Sequence, residues 1–219
     1  MSQFIVKKTT LKEQVYEYLK NGIIMGQIAP GERLIEEKIS ETLKVSRSPI
    51  REAVRMLEKD GLLDVHATGG VTVANPSTED YRNLYEIRVE MESLAAYYAA
   101  QRRNEEEVAT MASFIHDMKR KIKDNNLKEL LEVNFKFHES IVCASRNPFL
   151  ETMTLQLRGV NSFYRKAILE KNPGYAQEAI EDHKEIFQAI VDQNGNNARE
   201  LMRQHIEHDY QLFMKLAAK

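Results

Sequence analysis

The chain has 219 residues, 42% hydrophobic and 29% charged, enough to bury one sizeable core or two small ones. Its 31 basic and 33 acidic residues leave a formal charge of -2, so no global electrostatic signal marks a nucleic-acid or membrane binder, and any such function has to be written locally. A single cysteine, Cys143, excludes an internal disulfide, no apolar run approaches the roughly 18 residues of a membrane span, and residues 1–12 carry lysines but no signal-peptide core, so a cytoplasmic, mainly α protein is expected.

The first periodic segment, Leu11, Val15, Tyr18, Leu19 and Ile23, has helical spacing and ends between Gly22 and Gly26. After the Pro30-Gly31 turn, the pattern predicts a short helix over 36–43, a break at Lys44-Val45, and a second helix from about Ser46 to Asp60, with Ser46 or Ser48 as its cap. Two short helices in succession suggest helix-turn-helix. Residues 62–74, with Val65, Val71 and Val73 around Thr68-Gly69-Gly70, read as two strands about a glycine turn, a wing. Asn75-Pro76-Ser77 then punctuates the chain, and the domain boundary is placed there, giving 1–75 and 76–219. Beyond it, six helical stretches are predicted: 78–102, 105–123, 127–145, 148–170, 175–193 and 197–216, an all-α antiparallel bundle. Asn125-Asn126, Asn147-Pro148, Asn172-Pro173-Gly174 and Asn194-Gly195-Asn196-Asn197 supply the breaks.

On the second short helix, Ile50, Ala53, Val54 and Leu57 bury one face, while Arg47, Arg51, Arg55 and Lys59 recur every four residues on another. Arg47 and Arg51 sit at the N-terminal end, where a recognition helix meets base edges, and arginine matches guanine O6 and N7 bidentately. The plainer alternative is a solvated face in which Arg51 and Arg55 pair with Glu52, Glu58 or other neighbours. The short helix before the row and the Gly-tipped wing after it favour a DNA-reading head. His66 reads as an ordinary exposed strand residue.

Residues 30–34 (Pro-Gly-Glu-Arg-Leu), 43–57 (Leu-Lys-Val-Ser-Arg-Ser-Pro-Ile-Arg-Glu-Ala-Val-Arg-Met-Leu) and 60–63 (Asp-Gly-Leu-Leu) resemble the winged helix-turn-helix signature of GntR-family transcriptional regulators. The resemblance implies operator DNA as partner and Arg47, Ser48, Arg51, Arg55, Gly69 and Gly70 as contacts. Ile35 stands where members often carry a capping Ser or Pro, and Glu37 where some place a DNA-contacting Arg, which puts contacts from the preceding helix in question.

In the second half, Leu127, Leu131, Asn134, His138 and Ile141 share one helical stripe; His183 lies among Ala179, Ile180, Phe187 and Ile190, and His205 among Leu201, Met202 and Leu212. A lone histidine on an apolar face is usually a hydrogen-bonded core residue. Three, with an amide, form a candidate site for a divalent transition metal, Zn, Ni or Mn, leaving positions open for a ligand. His208 is a reserve or supporting group, and His116 is structural or exposed. Arg88, in line with Leu84, Met91 and Ala95, needs an anionic partner if buried: a ligand or an inward Glu. Tyr85, Phe135 and Tyr164 read as packing.

This half resembles the FCD ligand-binding domain of the FadR subfamily, in its six-helix VanR-type form, through residues 134–138 (Asn-Phe-Lys-Phe-His), 181–186 (Glu-Asp-His-Lys-Glu-Ile) and His205-Ile206. The resemblance implies a metal held by Asn134, His138, His183 and His205 and a small organic acid as effector with Arg88 as clamp; because one head reads only a few base pairs, a homodimer on palindromic DNA is expected, with repression relieved by the effector. Asn134 replaces the family's usual Asp and is a weaker donor. Two other readings stand beside this one: the metal itself is the signal, or the site is that of a metalloenzyme, which lacks an evident general base.

Overall fold

The computed structural model describes residues 9–172 and 174–218; the lysine-bearing residues 1–8 and Pro173 of the expected break lie outside them. The chain divides between Asn75 and Pro76 into two compact units.

The first unit is a winged helix-turn-helix. Helix α1 (Leu11–Ile24) opens on a capping box, with Thr10 accepting from the Glu13 amide and Glu13 from the Thr10 amide, and buries Val15, Leu19 and Ile23. Strand β1 (Arg33–Leu34) and helix α2 (Glu36–Leu43) follow. Helix α2 stops at Lys44, which takes a left-handed conformation at φ 54°. Helix α3 (Arg47–Lys59) presents Ile50, Ala53, Val54 and Leu57 to α1 and the core. Ser46 occupies its cap position, but its side chain accepts no capping hydrogen bond.

The wing is β2 (Leu63–Val65) and β3 (Val71–Val73), antiparallel, with Gly69 and Gly70 at φ 89° and 112° making the tip. Strand β1 pairs with the other edge of β3, so the sheet order is β1-β3-β2. Sequence pattern gave no sign of β1, because two residues carry no period. Its pairing follows from the turn at Gly31 (φ 78°), whose amide donates to Val73 O.

The second unit holds six helices among the described residues: α4 (Thr78–Arg102), α5 (Glu105–Lys123), α6 (Leu127–Ala144), α7 (Pro148–Lys171), α8 (Tyr175–Val191) and α9 (Gly195–Ala217). Helix α4 begins at a Ser77–Asp80 capping box, lies along α9 and also touches α6, α7 and α8. That environment explains why it buries Tyr81, Leu84, Arg88, Val89, Met91 and Glu92 on successive faces. An aromatic cluster closes one end, with Tyr81 at 4.1 Å from Tyr164 and 4.4 Å from Phe213, ring centroid to centroid. Helix α9 starts earlier than the sequence suggests. Asn194 caps it by accepting from the Asn197 amide, and its first residue, Gly195, packs where a Cβ would stand 3.0 Å from the Tyr97 ring. The glycine expected to end one helix begins the next.

Leu57 is wholly buried beneath the α3 face. Leu57→Ala is expected to destabilise the first unit by about 2–5 kcal/mol, measured as a lowered urea midpoint.

Candidate functional site

On α3, Arg47, Ser48, Arg51, Arg55 and Lys59 are all exposed, opposite the buried face. Two of the arginines are engaged from α2: Arg47 meets the Glu37 carboxylate, and Arg51 Nε donates to Glu36 Oε2 at 2.9 Å. Arg51 thus pairs with a neighbouring acid on the preceding helix rather than with Glu52 or Glu58. Both pairs are solvent-exposed and contribute little to stability, but they hold two guanidinium groups at the start of α3. A Cβ on Gly70 would lie 3.2 Å from the Arg33 guanidinium, so β1 brings one more cation to the wing, which the sequence reading did not identify. His66 is exposed, its Nε2 2.9 Å from Thr72 Oγ1.

Inside the second unit, α6, α8 and α9 bring His138, His183 and His205 together. Their Nε2 atoms face one another: His138 to His183 is 3.2 Å, and His183 to His205 is 3.2 Å. Two of the rings are oriented from behind by carboxylates. His138 Nδ1 lies 2.7 Å from Glu92 Oε2, and His205 Nδ1 lies 3.0 Å from Asp182 Oδ2. The third, His183 Nδ1, is buried with no hydrogen-bond partner. Asn134 also reaches the cluster, but with its amide nitrogen, 3.4 Å from His183 Nε2; ligation requires the oxygen to turn inward. His208 stands 3.9 Å from the same Asp182 carboxylate, behind His205.

Burial holds His138 below the ordinary histidine pKa despite the opposing pull of Glu92, and burial with the charges of His205 and His138 lowers His183 well below it. Neutral His138 donates through Nδ1 to Glu92, so its Nε2 carries a lone pair. Neutral His183 has one proton for two Nε2 neighbours and a buried Nδ1. Its hydrogen-bonding capacity cannot be met by the surrounding atoms. A cation among the three Nε2 atoms would satisfy the lone pairs that face one another there, though not His183 Nδ1, and the imidazole set with carboxylates behind two of its rings fits a divalent transition metal.

Arg88 is buried beside this cluster, but Glu92 Oε1 already accepts from its Nε at 2.7 Å, while Nη1 donates to Asn161 Oδ1 at 2.9 Å. Arg88 therefore has the inward Glu partner that stood as the alternative to a ligand. Burial raises the Glu92 pKa, but Arg88 and His138 outweigh it and hold the carboxyl well below the usual range. Glu92 links the arginine to the histidines, a role that its position four residues after Arg88 on the same helical face could have signalled. Arg165 and Asp209 make a second buried pair, with Nη1 2.6 Å from Oδ2, and Tyr175 OH donates to the same carboxylate. Asp209 lies four residues after His205, 4.0 Å from its Nε2.

Arg88, Glu92, Asn134, His138, Asn161 and Arg165 line one cleft, partly open to solvent, with Phe135 also on its wall. Tyr164 and Tyr85 are instead packed against other aromatic rings.

Residues 83–208 match the FCD domain, and residues 11–73 match the bacterial regulatory proteins of the gntR family. YdhC of Bacillus subtilis, an uncharacterized HTH-type transcriptional regulator, is 32% identical over 205 residues, covering 93% of this chain and 91% of that protein. The HTH-type transcriptional repressor RspR of Escherichia coli is 26% identical over 198 residues, covering 90% and 86%. The solved structure of E. coli McbR/YncC aligns with a TM-score of 0.83 over 96% of this chain and 100% of that one at 23% identity, a likeness of fold. No helix among the described residues is long and apolar enough to cross a membrane.

Asp209→Asn leaves Arg165 buried without its counter-charge and is expected to cost about 3–5 kcal/mol in urea unfolding. Burial raises the Asp209 pKa, but Arg165 and His205 outweigh it and bring the carboxyl to about 2 from 3.8. Its folded value is depressed, so its contribution is complete above the unfolded pKa and lost as pH falls through the folded one. Stability measured between pH 5 and pH 2 should fall less steeply in Asp209→Asn than in the parent.

Proposed function

The chain belongs to the GntR family of bacterial regulatory proteins and carries an FCD domain, and from that premise we propose that it is a cytoplasmic repressor whose grip on operator DNA is released by a small organic acid bound beside a metal. It is a DNA-binding transcriptional regulator rather than an enzyme. In the proposal, Arg47, Ser48, Arg51 and Arg55 enter the major groove, and Gly69 and Gly70 approach the adjacent minor groove, with Arg33 beside them. One head reads few base pairs, so a homodimer on a palindromic site is proposed. The repressor sign is supported by RspR, which is described as a repressor.

The observation that carries the sensing half is the meeting of three imidazole Nε2 atoms with too few protons to satisfy one another. His138, His183 and His205, with Asn134 turned, would hold a divalent Zn, Ni or Mn ion, whose positive charge would serve as a Lewis-acid anchor for a carboxylate. Arg88 would clamp that carboxylate, exchanging or sharing its contact with Glu92, since a guanidinium fork has donors to spare. Helix α7 offers a route outward. Asn161 and Arg165 face the cleft, and the neighbouring Tyr164 OH donates at 2.8 Å to Ser77 O, the cap residue of α4. A ligand that shifts α7 would thus act at the root of the second unit, and a coupling of about 1–3 kcal/mol would change DNA affinity roughly 5–150-fold.

Metal analysis and thermal shift test the site. Zn or Ni is expected to raise the melting temperature of the full chain, by about 2.7 kcal/mol of stabilisation at a hundredfold excess over Kd. His183→Ala and chelator should each abolish the rise; an unchanged melting curve for the parent would remove the metal from the proposal. If metal alone changes DNA affinity, the metal is the signal.

Arg51→Ala is expected to lose about 1–3 kcal/mol of binding to duplexes selected from a random pool, with folding intact by circular dichroism. Tyr164→Phe should keep metal-induced stabilisation yet weaken the effect of an acid on DNA affinity.

A further inference from the structure

We infer that the cleft beside the imidazoles is built for an acid with two anionic ends, a short-chain dicarboxylate or hydroxydicarboxylate, and that Arg158 and Thr154 of α7 receive its far end. The inference rests on the reading of this cleft as the effector site and specifies the class of acid it selects.

The walls of the cleft differ along their length. At the inner end, beside His138 and Arg88, Arg165 is 4% exposed, and its Nε is buried without a hydrogen-bond partner although Nη1 holds Asp209. Phe135 and Leu157 supply an apolar stretch. Polar groups then return. Arg158, whose side chain is 27% exposed, pairs through Nη1 with Glu139 Oε1 at 2.7 Å and lies 5.4 Å from the Phe135 ring centroid. Beside it on α7, Thr154 Oγ1 is buried with no hydrogen-bond partner.

Thr154 is the informative group. A threonine inside a helix usually returns its hydroxyl to the carbonyl four residues back. Thr42, Thr110 and Thr152 do so here, donating to Lys38 O, Glu106 O and Pro148 O at 2.8–2.9 Å. Thr154 does not, and a buried hydroxyl left unpaired is costly unless a ligand atom meets it. Thr154, Arg158, Asn161 and Arg165 follow one another at helical spacing on a single face. Seven residues separate Arg158 from Arg165, and the same number Thr154 from Asn161, which is about 10 Å along the helix axis. A monocarboxylate held at the imidazoles and Arg88 leaves the outer donors unused. A second carboxylate on a short carbon chain passes Phe135 and Leu157 and accepts from the Thr154 hydroxyl and from Arg158 N–H groups not engaged by Glu139.

Charge agrees with this division. Each arginine of the cleft has one acidic partner, Arg88 with Glu92, Arg158 with Glu139 and Arg165 with Asp209. The amide of Asn134 brings no negative charge to the imidazole cluster. A divalent cation held there adds two positive charges against one further carboxylate, Asp182 behind His205, so the cleft stays electropositive and favours an anion.

Titration calorimetry and thermal shift on the full-length chain loaded with zinc compare acids of matched chain length: succinate against butyrate, glutarate against pentanoate, adipate against hexanoate. At least one diacid is expected to bind about tenfold or more tightly than its monoacid partner. In Arg158→Gln that advantage should disappear while the monoacid affinity is unchanged. Thr154→Val should reduce it in part and, without any acid, raise the melting temperature by removing the unpaired hydroxyl. Equal binding of mono- and diacids by the parent, or an equal loss of both in Arg158→Gln, overturns the two-ended cleft while leaving it as an effector site. If no acid binds with or without zinc, the effector reading fails and this inference falls with it.

Discussion

Three imidazole nitrogens that meet inside a bundle with too few protons between them set the terms for the rest of the second unit. Two of the three are held from behind, His138 by Glu92 and His205 by Asp182, while His183 has no partner behind it. Glu92 is itself anchored, bound to Arg88, and Arg88 to Asn161. The result is a chain of buried polar groups running from α8 through α6 and α4 to α7. Such a network is costly to assemble and strongly orienting once complete. A bundle that needed only stability would be served as well by leucines, so the network is better explained by what it positions than by what it stabilises.

The head follows the same logic at a lower cost. Arg47 and Arg51 are oriented by Glu37 and Glu36 across the turn between α2 and α3. Both pairs are exposed, so the arginines are positioned while remaining available for exchange with a phosphate or a base edge. Glu37 thereby acquires a physical place in the head, as the acid that orients Arg47.

Much of this was legible in the sequence because periodicity reports burial directly. The row Ile50, Ala53, Val54 and Leu57 against Arg47, Arg51 and Arg55 needs no tertiary information, and neither do the inward histidines. What the sequence hid depends on pairing between distant segments. Strand β1 pairs with an edge that β3 offers, and Gly195 lies against Tyr97 where no side chain fits, just after the Asn194 cap that starts α9. Glu92 and Asp209 were visible as i+4 neighbours of Arg88 and His205, yet spacing alone does not distinguish an acid facing the core from one facing water. Arg165 and Asn161 sit on a helix whose apolar stripe gave no reason to look for a cleft.

Helix α7 ties these observations together. It supplies Thr154, Arg158, Asn161 and Arg165 to one cleft, and its next face carries Tyr164 into the aromatic cluster and onto the Ser77 carbonyl. A helix moves as a rigid body over one or two turns, so displacement of Asn161 or Arg165 is carried to Tyr164 with little loss. The receiving end is a backbone carbonyl at the cap of α4, where the Ser77–Asp80 capping box fixes the direction in which that helix begins. The hydrogen bond therefore stands at the point where a small shift of one helix alters the starting geometry of another, two residues beyond the division between the units. Packing alone leaves such a contact free to slide, whereas a phenol bonded to a carbonyl has a defined length and direction.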